Sequence, residues 1–498
     1  MSAVDELVSP AIDFLLETPL VKDRGGVSLQ KQLHARIRGA ILDGRFPSGC
    51  RLPGSRALAV ALGISRNSVT AVYELLGAEG FIEPSRQGTR VTELDEQRNG
   101  GRRTARRPPT PEVSNRATLI RGTQLGAGDT LSLRPGVPAF ARFPLSAWKH
   151  CLDRAIRTAG ASGLGYGDPQ GELALRKAIM RHLAVARGVR CAPDQVVITE
   201  GAQEALSLCV RLVTNPGDNA WVEEPGYRGA KTAFICGDLN VVPVRVDQDG
   251  LSISDLAWER HTPRLIYTTP SHQYPTGAVL TVSRRLDLIA NAQAHGAWII
   301  EDDYDSEYRH SGELIGAMQG LVPHSPVLYV GTFSKTLFPS LRLGFLVMPE
   351  ALLGRASALL RETLRGGHRY EQLALAEFIE SGQFGRHLGR MRRLYRRRQD
   401  ALRAALTQHL AVPHVITGGD SGMHLTVKLP ADCSDVRIAE AARQYDMAPM
   451  PLSRFALKPQ AEDNGLVLGY GNTSESLFVP LVKQLVRLIQ ADRRSGNQ

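Results

Sequence analysis

The stretch Gln195-Val-Val-Ile-Thr-Glu-Gly-Ala-Gln203, which runs on as an apolar-periodic segment to Leu212, passes from a β-branched run into a helical pattern within a few residues. A short apolar run closed by glycine predicts a buried strand, and the spacing from Ala202 predicts a helix directly behind it. The same alternation recurs outward from this point. Further strands are predicted at Ala220-Trp-Val222, Leu265-Ile-Tyr-Thr268, Ala297-Trp-Ile-Ile300 and Val327-Leu-Tyr-Val330, with helical patterns between them. Strands alternating with helices imply an α/β domain built on a mostly parallel sheet with flanking helices. No internal repeat is present.

Several of these strands end on groups that can carry chemistry. Where Thr199-Glu-Gly201-Ala202-Gln203 turns into a helix, free backbone N–H groups and the helix dipole suit a phosphate. Thr332-Phe-Ser334-Lys335 lies just past the strand ending at Val330, and Leu337-Phe-Pro-Ser-Leu-Arg342-Leu-Gly344 follows. A lysine among hydroxyls can form a Schiff base with an aldehyde cofactor, and an arginine seven residues on can clamp its phosphate. Trp298-Ile-Ile-Glu-Asp302-Asp303-Tyr304 places carboxylates and a phenol at another strand end. A buried anion keeps a pyridine nitrogen protonated, a role suited to Asp302, while Tyr304 can bond the ring oxygen. Glu301 and Asp305 read as a solvated acidic strand end. Glu223-Glu-Pro-Gly-Tyr227 supplies an aromatic that can stack on such a ring.

The amino-terminal part follows a different pattern. Leu29, Leu33, Ile37, Ala40 and Ile41 share one helical stripe, stopped by Gly44 and Pro47. Ser55 is placed to cap a second helix with Leu58, Ala59 and Leu62, and Ser65 a third, after a turn at Gly63. On the third helix Val69, Val72, Leu75 and Leu76 are expected inside, which leaves Arg66, Asn67, Thr70 and Tyr73 outward or flanking. Arginine reads guanine, asparagine reads adenine, and hydroxyls hold phosphates. Phe81 to Val91 reads as a hairpin wing with Gly88 at its tip and Arg86 and Arg90 beside it, and Gln87, Gly88 and Thr89 are candidates for DNA contact. From Lys22 to Val91 there are 11 Lys and Arg against five acids, and Arg98, Arg102, Arg103, Arg106 and Arg107 follow. Positive charge gathered at one end favours a polyanion.

The 498-residue length suggests about three units. We divide the chain into an arm (1–25), a winged helix-turn-helix (26–93), an Arg/Pro/Gly-rich semi-extended linker (94–128) and the α/β domain (129–493). Six scattered cysteines without a CxxC pair point to reduced thiols rather than zinc or disulfides, and no metal site is expected. The acidic start, Asp5 to Glu17, does not fit a secretory signal, and no apolar run approaches a bilayer span. A cytoplasmic protein without a membrane partner is expected.

The segments Gly44-Arg-Phe-Pro-Ser-Gly-Cys-Arg-Leu-Pro-Gly-Ser-Arg-Ala-Leu-Ala59 and Gly63-Ile-Ser-Arg-Asn-Ser-Val69 resemble the GntR superfamily DNA-binding domain. The resemblance implies that Arg56 and Arg66 approach double-stranded DNA. Further on, Tyr166-Gly-Asp-Pro-Gln-Gly171, Gly201-Ala-Gln203, Tyr227, Pro275-Thr-Gly277, Asp302-Asp-Tyr304, Ser334-Lys335 and Arg342 occur in the order found in fold-type I aminotransferases. That resemblance implies pyridoxal 5'-phosphate (PLP) with Lys335 as its catalytic lysine, Asp302 at the ring nitrogen and Arg342 at the phosphate. It further implies Tyr227 stacked on the ring, and Tyr166 reaching the phosphate across a domain-swapped homodimer. Arg454 is the candidate for holding a ligand carboxylate. The whole chain is similar to MocR-like regulators, which implies a PLP-dependent DNA-binding regulator that senses PLP, an amine or an amino acid. An active aminotransferase with a DNA-binding appendage is the alternative. One departure is Ser271-His-Gln-Tyr274, where aminotransferases carry Asn before Pro-Thr-Gly. Either His272 or Gln273 replaces that contact, or His272 is structural. The seven arginines between Arg386 and Arg398 read as an exposed helix with salt-bridge partners.

Overall fold

The computed structural model describes residues 14–17, 19–21, 27–85, 88–93, 112–120, 130–310, 312 and 315–496. The chain divides into two compact units between Glu112 and Val113.

In the first unit α1 (Leu29–Leu42), α2 (Ser55–Leu62) and α3 (Arg66–Ala78) precede a hairpin of β1 (Ile82–Ser85) and β2 (Gly88–Val91). The side chain of Ser28 caps α1 by accepting from the Lys31 N–H, and Ser65 caps α3 through the Ser68 N–H. Ser55 is not a cap: Gly54 holds that position, and Ser55 is the first helical residue. Gly63, at φ 64°, makes the left-handed turn between α2 and α3 that a side chain would resist. Leu33, Ile37, Ile41, Leu58, Val69, Val72, Leu76, Ile82 and Val91 form one buried core, against which Phe14 and Leu15 of the expected arm also pack. Leu75 is not part of it and is 49% exposed. Val69, Val72 and Leu76 follow the i, i+3, i+7 stripe, and Leu75 sits about 100° round the helix from Leu76. Gly88 is not the hairpin tip either, because it begins β2 opposite Ser85. The connecting residues, Arg86 and Gln87, lie outside the described residues.

Most of the arginine- and proline-rich linker lies outside the described residues. Asn115–Leu119, expected as semi-extended, is a short helix in the second unit, where Arg116 pairs with Asp238 at 2.8 Å.

The second unit is built on an eight-stranded sheet in the order β3-β10-β9-β8-β7-β4-β5-β6. Its strands are β3 (Val196–Thr199), β4 (Asn219–Glu224), β5 (Asn240–Asp247), β6 (Gly250–Leu251), β7 (Leu265–Thr268), β8 (Trp298–Asp303), β9 (Val327–Thr332) and β10 (Gly344–Val347). The pairings β5-β4-β7-β8-β9 are parallel, whereas β10 is antiparallel to β3 and β9, and β6 to β5. Successive residues of a strand enter different cores: Val197, Leu328 and Leu346 pack into one, Val196, Tyr329 and Val347 into another. Burial on both faces explains why these strands read as continuous apolar runs. A second, antiparallel sheet, β11-β12-β14-β13, comprises Val415–Thr417, His424–Lys428, Gly465–Gly469 and Met450–Pro451 in that order.

α4 (Ala202–Val213) follows β3, as its sequence predicts, and α5 (Gln383–His409) carries the arginine run. Leu388, Met391 and Leu394 of α5 are buried. The expected salt bridges largely give way to carbonyl contacts. Arg386, Arg392, Arg398 and Arg403 donate to the carbonyls of Ser381, Glu307, Gly471 and Gly418, and Arg397 alone of the run pairs with a described acid, Glu475.

Candidate cofactor cavity and DNA-recognition surface

The carboxyl ends of the parallel strands converge on a cavity of about 260 Å³. Antiparallel β10 begins at this same end, so Arg342, two residues before it, arrives beside β9 and β3. In open α/β sheets the loops at this edge are where ligands sit. Among the sequence candidates, Ala202, Gln203, Tyr227, Asp302, Tyr304, Thr332, Ser334, Lys335 and Arg342 line the cavity.

At one end Gly201, at φ 85°, opens α4, and a Cβ there would stand 3.7 Å from Nη1 of Arg342. Arg342 thus lies beside the free N–H groups of a helix start, an arrangement suited to an anion. Ser334 and Thr332 lie on the same wall, their hydroxyls 3.1 Å apart. Deeper in, Asp302 accepts a hydrogen bond from the Tyr267 hydroxyl at 2.7 Å through Oδ2, while Oδ1 is buried without a partner among the described residues. Burial pushes this carboxyl up to about 7, against the pull of the Tyr267 bond. Nζ of Lys335 donates to the Gly136 carbonyl at 2.7 Å, and a Cβ on Gly136 would come within 2.9 Å of that nitrogen. Burial pushes Tyr227 up to about 12, and Tyr227 stacks at 29° on Tyr267.

The acidic strand end is not solvated. Glu301 is buried, accepts from the Met318 and Gln319 N–H groups at 2.8 and 3.0 Å, and is pushed up to about 7 by burial. Asp303 pairs with Arg187 at 2.6 Å, and Asp305 bonds Nδ1 of His272 at 2.9 Å. A strand enclosed on both faces carries its acids inside with it, and each one therefore needs a partner. Neither Gln273 nor His272 lines the cavity: Gln273 bonds Glu223 at 3.0 Å, and His272 stands behind Tyr304, 2.9 Å from its hydroxyl. Arg454 does not line the cavity: its exposed side chain pairs with Glu440 at 2.8 Å from a 3-10 turn whose Leu452 and Phe455 are buried. Tyr166 is 88% exposed and stands outside the cavity.

Tyr267, Gly136, Tyr274, Asp305 and His424 also line the cavity, a place that the sequence reading gives to none of them. Tyr267 is the penultimate residue of a predicted strand and pairs in register with Ile300, two residues before Asp302; its place near a strand end is the signal that could have found it. Gly136 and His424 lie in segments that carry no such signal.

On the first unit Arg56, Ser65, Arg66, Asn67 and Gly88 are exposed, and Thr70 and Thr89 are half-buried. Tyr73 is the exception: its hydroxyl donates to the Pro53 carbonyl at 2.7 Å, and burial raises it well above the usual phenol range. That hydroxyl ties α3 to the loop before α2 and is not free for phosphate.

A helix-turn-helix with a two-stranded wing and a fold-type I α/β unit with a lysine-bearing cavity define a two-part class of protein. Residues 29–91 match the family model "Bacterial regulatory proteins, gntR family", and residues 129–459 match "Aminotransferase class I and II". The chain is 39% identical to the probable rhizopine catabolism regulatory protein MocR of Rhizobium meliloti, over 91% of this chain and 92% of that one. It is 32% identical to the HTH-type pyridoxine biosynthesis transcriptional regulator PdxR of Corynebacterium glutamicum, over 90% and 93%. Among solved structures, LysN, the α-aminoadipate aminotransferase of Thermus thermophilus complexed with N-(5'-phosphopyridoxyl)-L-leucine, matches with a TM-score of 0.69. The identity to LysN is 27%, with 77% of this chain and 98% of that one covered. The chain belongs to the MocR-type HTH transcriptional regulators, in which a gntR-family module is joined to an aminotransferase class I and II domain.

Proposed function

We propose that this protein is a PLP-dependent transcriptional regulator that binds promoter DNA through its amino-terminal unit and senses PLP, or PLP with an amine or amino acid, in the cavity of its larger unit. The observation that carries the cofactor assignment is the buried, unpartnered Oδ1 of Asp302 in the same cavity as Lys335 and Arg342. A carboxylate pushed towards neutrality by burial is returned to its charged form by a cation, and a protonated ring nitrogen supplies one. PLP contributes an aldehyde for an amine and a ring that withdraws electrons. Lys335 offers the amine, Arg342 and the start of α4 hold the phosphate, Tyr227 covers one ring face and Tyr304 donates to the ring oxygen.

Arg56 and Arg66, with Ser65, Asn67, Thr70, Gly88 and Thr89, are assigned to the DNA. A homodimer in the cytoplasm presenting two recognition helices would select paired half-sites. Tyr166, exposed in one chain, is assigned to the phosphate of the second copy. The domain limits 26–93 and 129–493 belong to the same proposal. An effector acts by binding one of two states of the larger unit more tightly. The names of relatives in pyridoxine biosynthesis and of a neighbour holding a phosphopyridoxyl group support this reading.

The test is a PLP titration followed by absorbance. A visible band is expected for the wild type and none for Lys335→Ala. A wild type that shows no band with added PLP sinks the cofactor assignment. Turnover of an amino acid with a keto acid at rates ordinary for enzymes would instead support an aminotransferase with a DNA-binding appendage.

A further inference from the structure

Tyr304 rests on two buried groups that the proposed function leaves without a role. Nδ1 of His272 lies 2.9 Å from Oδ1 of Asp305, 3.2 Å from Oδ2 and 2.9 Å from the Tyr304 hydroxyl. The side chains of His272 and Asp305 are each only 2% exposed. One imidazole nitrogen carries either a proton or a lone pair, so the two neighbours of Nδ1 cannot both donate to it or both be served freely.

Two independent features decide the tautomer. An ionised carboxylate only accepts, which requires the proton on Nδ1. On the far side of the ring, Nε2 is buried and meets no hydrogen-bond partner among the described residues. A proton there would be a buried donor without an acceptor, costlier than an idle lone pair. Both features put the proton on Nδ1. The Tyr304 hydroxyl then has no lone pair on His272 to donate to, and its own proton is left to the cavity that Tyr304 lines. Burial raises Tyr304 well above the usual phenol range, so that proton is retained.

We infer that Asp305 is a positioning residue: it locks His272 as the Nδ1–H tautomer and so aims the Tyr304 proton at the ring oxygen of the cofactor. This rests on the PLP reading above. The packing around the pair fits such a lock. Gly422, at φ 78°, lies against both side chains, and a Cβ there would overlap His272 and Asp305. The other titratable and charged groups facing the pair are Asp302, Asp303, Glu307, Lys335, His310, His424 and the phenols of Tyr274, Tyr308 and Tyr470. His424, whose ring centre is 4.9 Å from that of His272, is held neutral by burial and donates to the Pro275 carbonyl at 3.1 Å. It therefore leaves Asp305, whose carboxyl burial raises against the opposing pull of His272, as the acidic partner of Nδ1.

A hydrogen bond to the ring oxygen favours its charged form and lowers the pH at which the visible band of the PLP-loaded protein titrates. Asp305→Asn, which accepts either tautomer, is expected to raise that midpoint by about one pH unit and to weaken PLP binding about tenfold. Tyr304→Phe is expected to do the same, and the double variant to move no further than Tyr304→Phe alone. An unchanged midpoint in Asp305→Asn, or shifts that add in the double variant, overturns the inference. A wild type without any visible band defeats the PLP reading instead. If Asp305→Asn fails to fold, the tautomer remains readable in wild-type protein labelled with 15N-histidine. The signals missing from His272→Gln are expected to report the proton on Nδ1, and a proton on Nε2 overturns the inference.

Discussion

The helix residues proposed to meet DNA are close together in the chain. Arg66, Asn67 and Thr70 share the first turns of α3, and Arg56 is the second residue of α2. The cavity of the larger unit is lined by residues scattered from Pro135 to His424, drawn from strand ends, the start of α4, several loops and the second sheet. The two sites therefore respond to change differently. A side chain on an exposed helix can be removed with little effect on its neighbours, because caps and the core beneath hold the helix. A cavity assembled from distant segments transmits one backbone change to several contacts.

Gly136→Ala is the severest way to test that contrast. Gly136 has φ 76°, and a Cβ would meet Nζ of Lys335 at 2.9 Å, so both the backbone and the lysine must move. PLP affinity is expected to fall by more than about tenfold, while DNA affinity measured without PLP stays unchanged. Equal losses in both assays would break the separation of the two sites. Arg66→Ala is the converse. Loss of a paired contact to a base predicts promoter binding weaker by about 10- to 100-fold, with the PLP titration unaltered.

The third prediction sharpens the comparison through pH. The Asp302 carboxyl stands at about 7 in the fold against an ordinary 3.8. A raised carboxyl contributes stability that is full below its unfolded value and is lost as pH rises through the folded one. The melting temperature of the cofactor-free protein is therefore expected to fall between about pH 4 and pH 7. Glu301 and Glu307, also near 7 because of burial, share that window. The difference between wild type and Asp302→Asn isolates the Asp302 share, and a variant with the same slope as wild type would contradict it. The smallest effect is expected in the first unit. Tyr73→Phe removes one bond to the Pro53 carbonyl and is expected to cost about 1 kcal/mol by denaturant melts, with promoter affinity nearly unchanged. A large loss of DNA binding would return Tyr73 to the phosphate-contacting set.

Much of the architecture was legible because periodicity and punctuation carry it locally. The run from Gln195 to Leu212 did become a buried strand and a helix, and Gly44 and Gly63 did end α1 and α2. The errors share a cause. Leu75, Tyr73, Glu301 and Asp305 were read from their immediate neighbours, yet each is decided by what packs against it from elsewhere. Leu75 lies one residue off the buried stripe, and Tyr73 meets a loop 20 residues away. Arg454 had the right chemistry for a carboxylate and the wrong neighbourhood, beside Glu440.

By itself, the sequence determined that two units of different kinds are joined, where the principal helices and strands fall, and which strand-end groups, Lys335, Asp302 and Arg342, are the candidates for one site. Side-chain order along a strand or helix follows from backbone geometry that every residue obeys, which makes such features readable without coordinates. Only the tertiary structure decided that Asp302 keeps one oxygen unpaired, that Gly136 takes the lysine's hydrogen bond, and that His272 leans on Asp305 behind the cavity wall. Those facts depend on which distant segments exclude water from a group and which polar atom they bring within reach. Local sequence encodes neither.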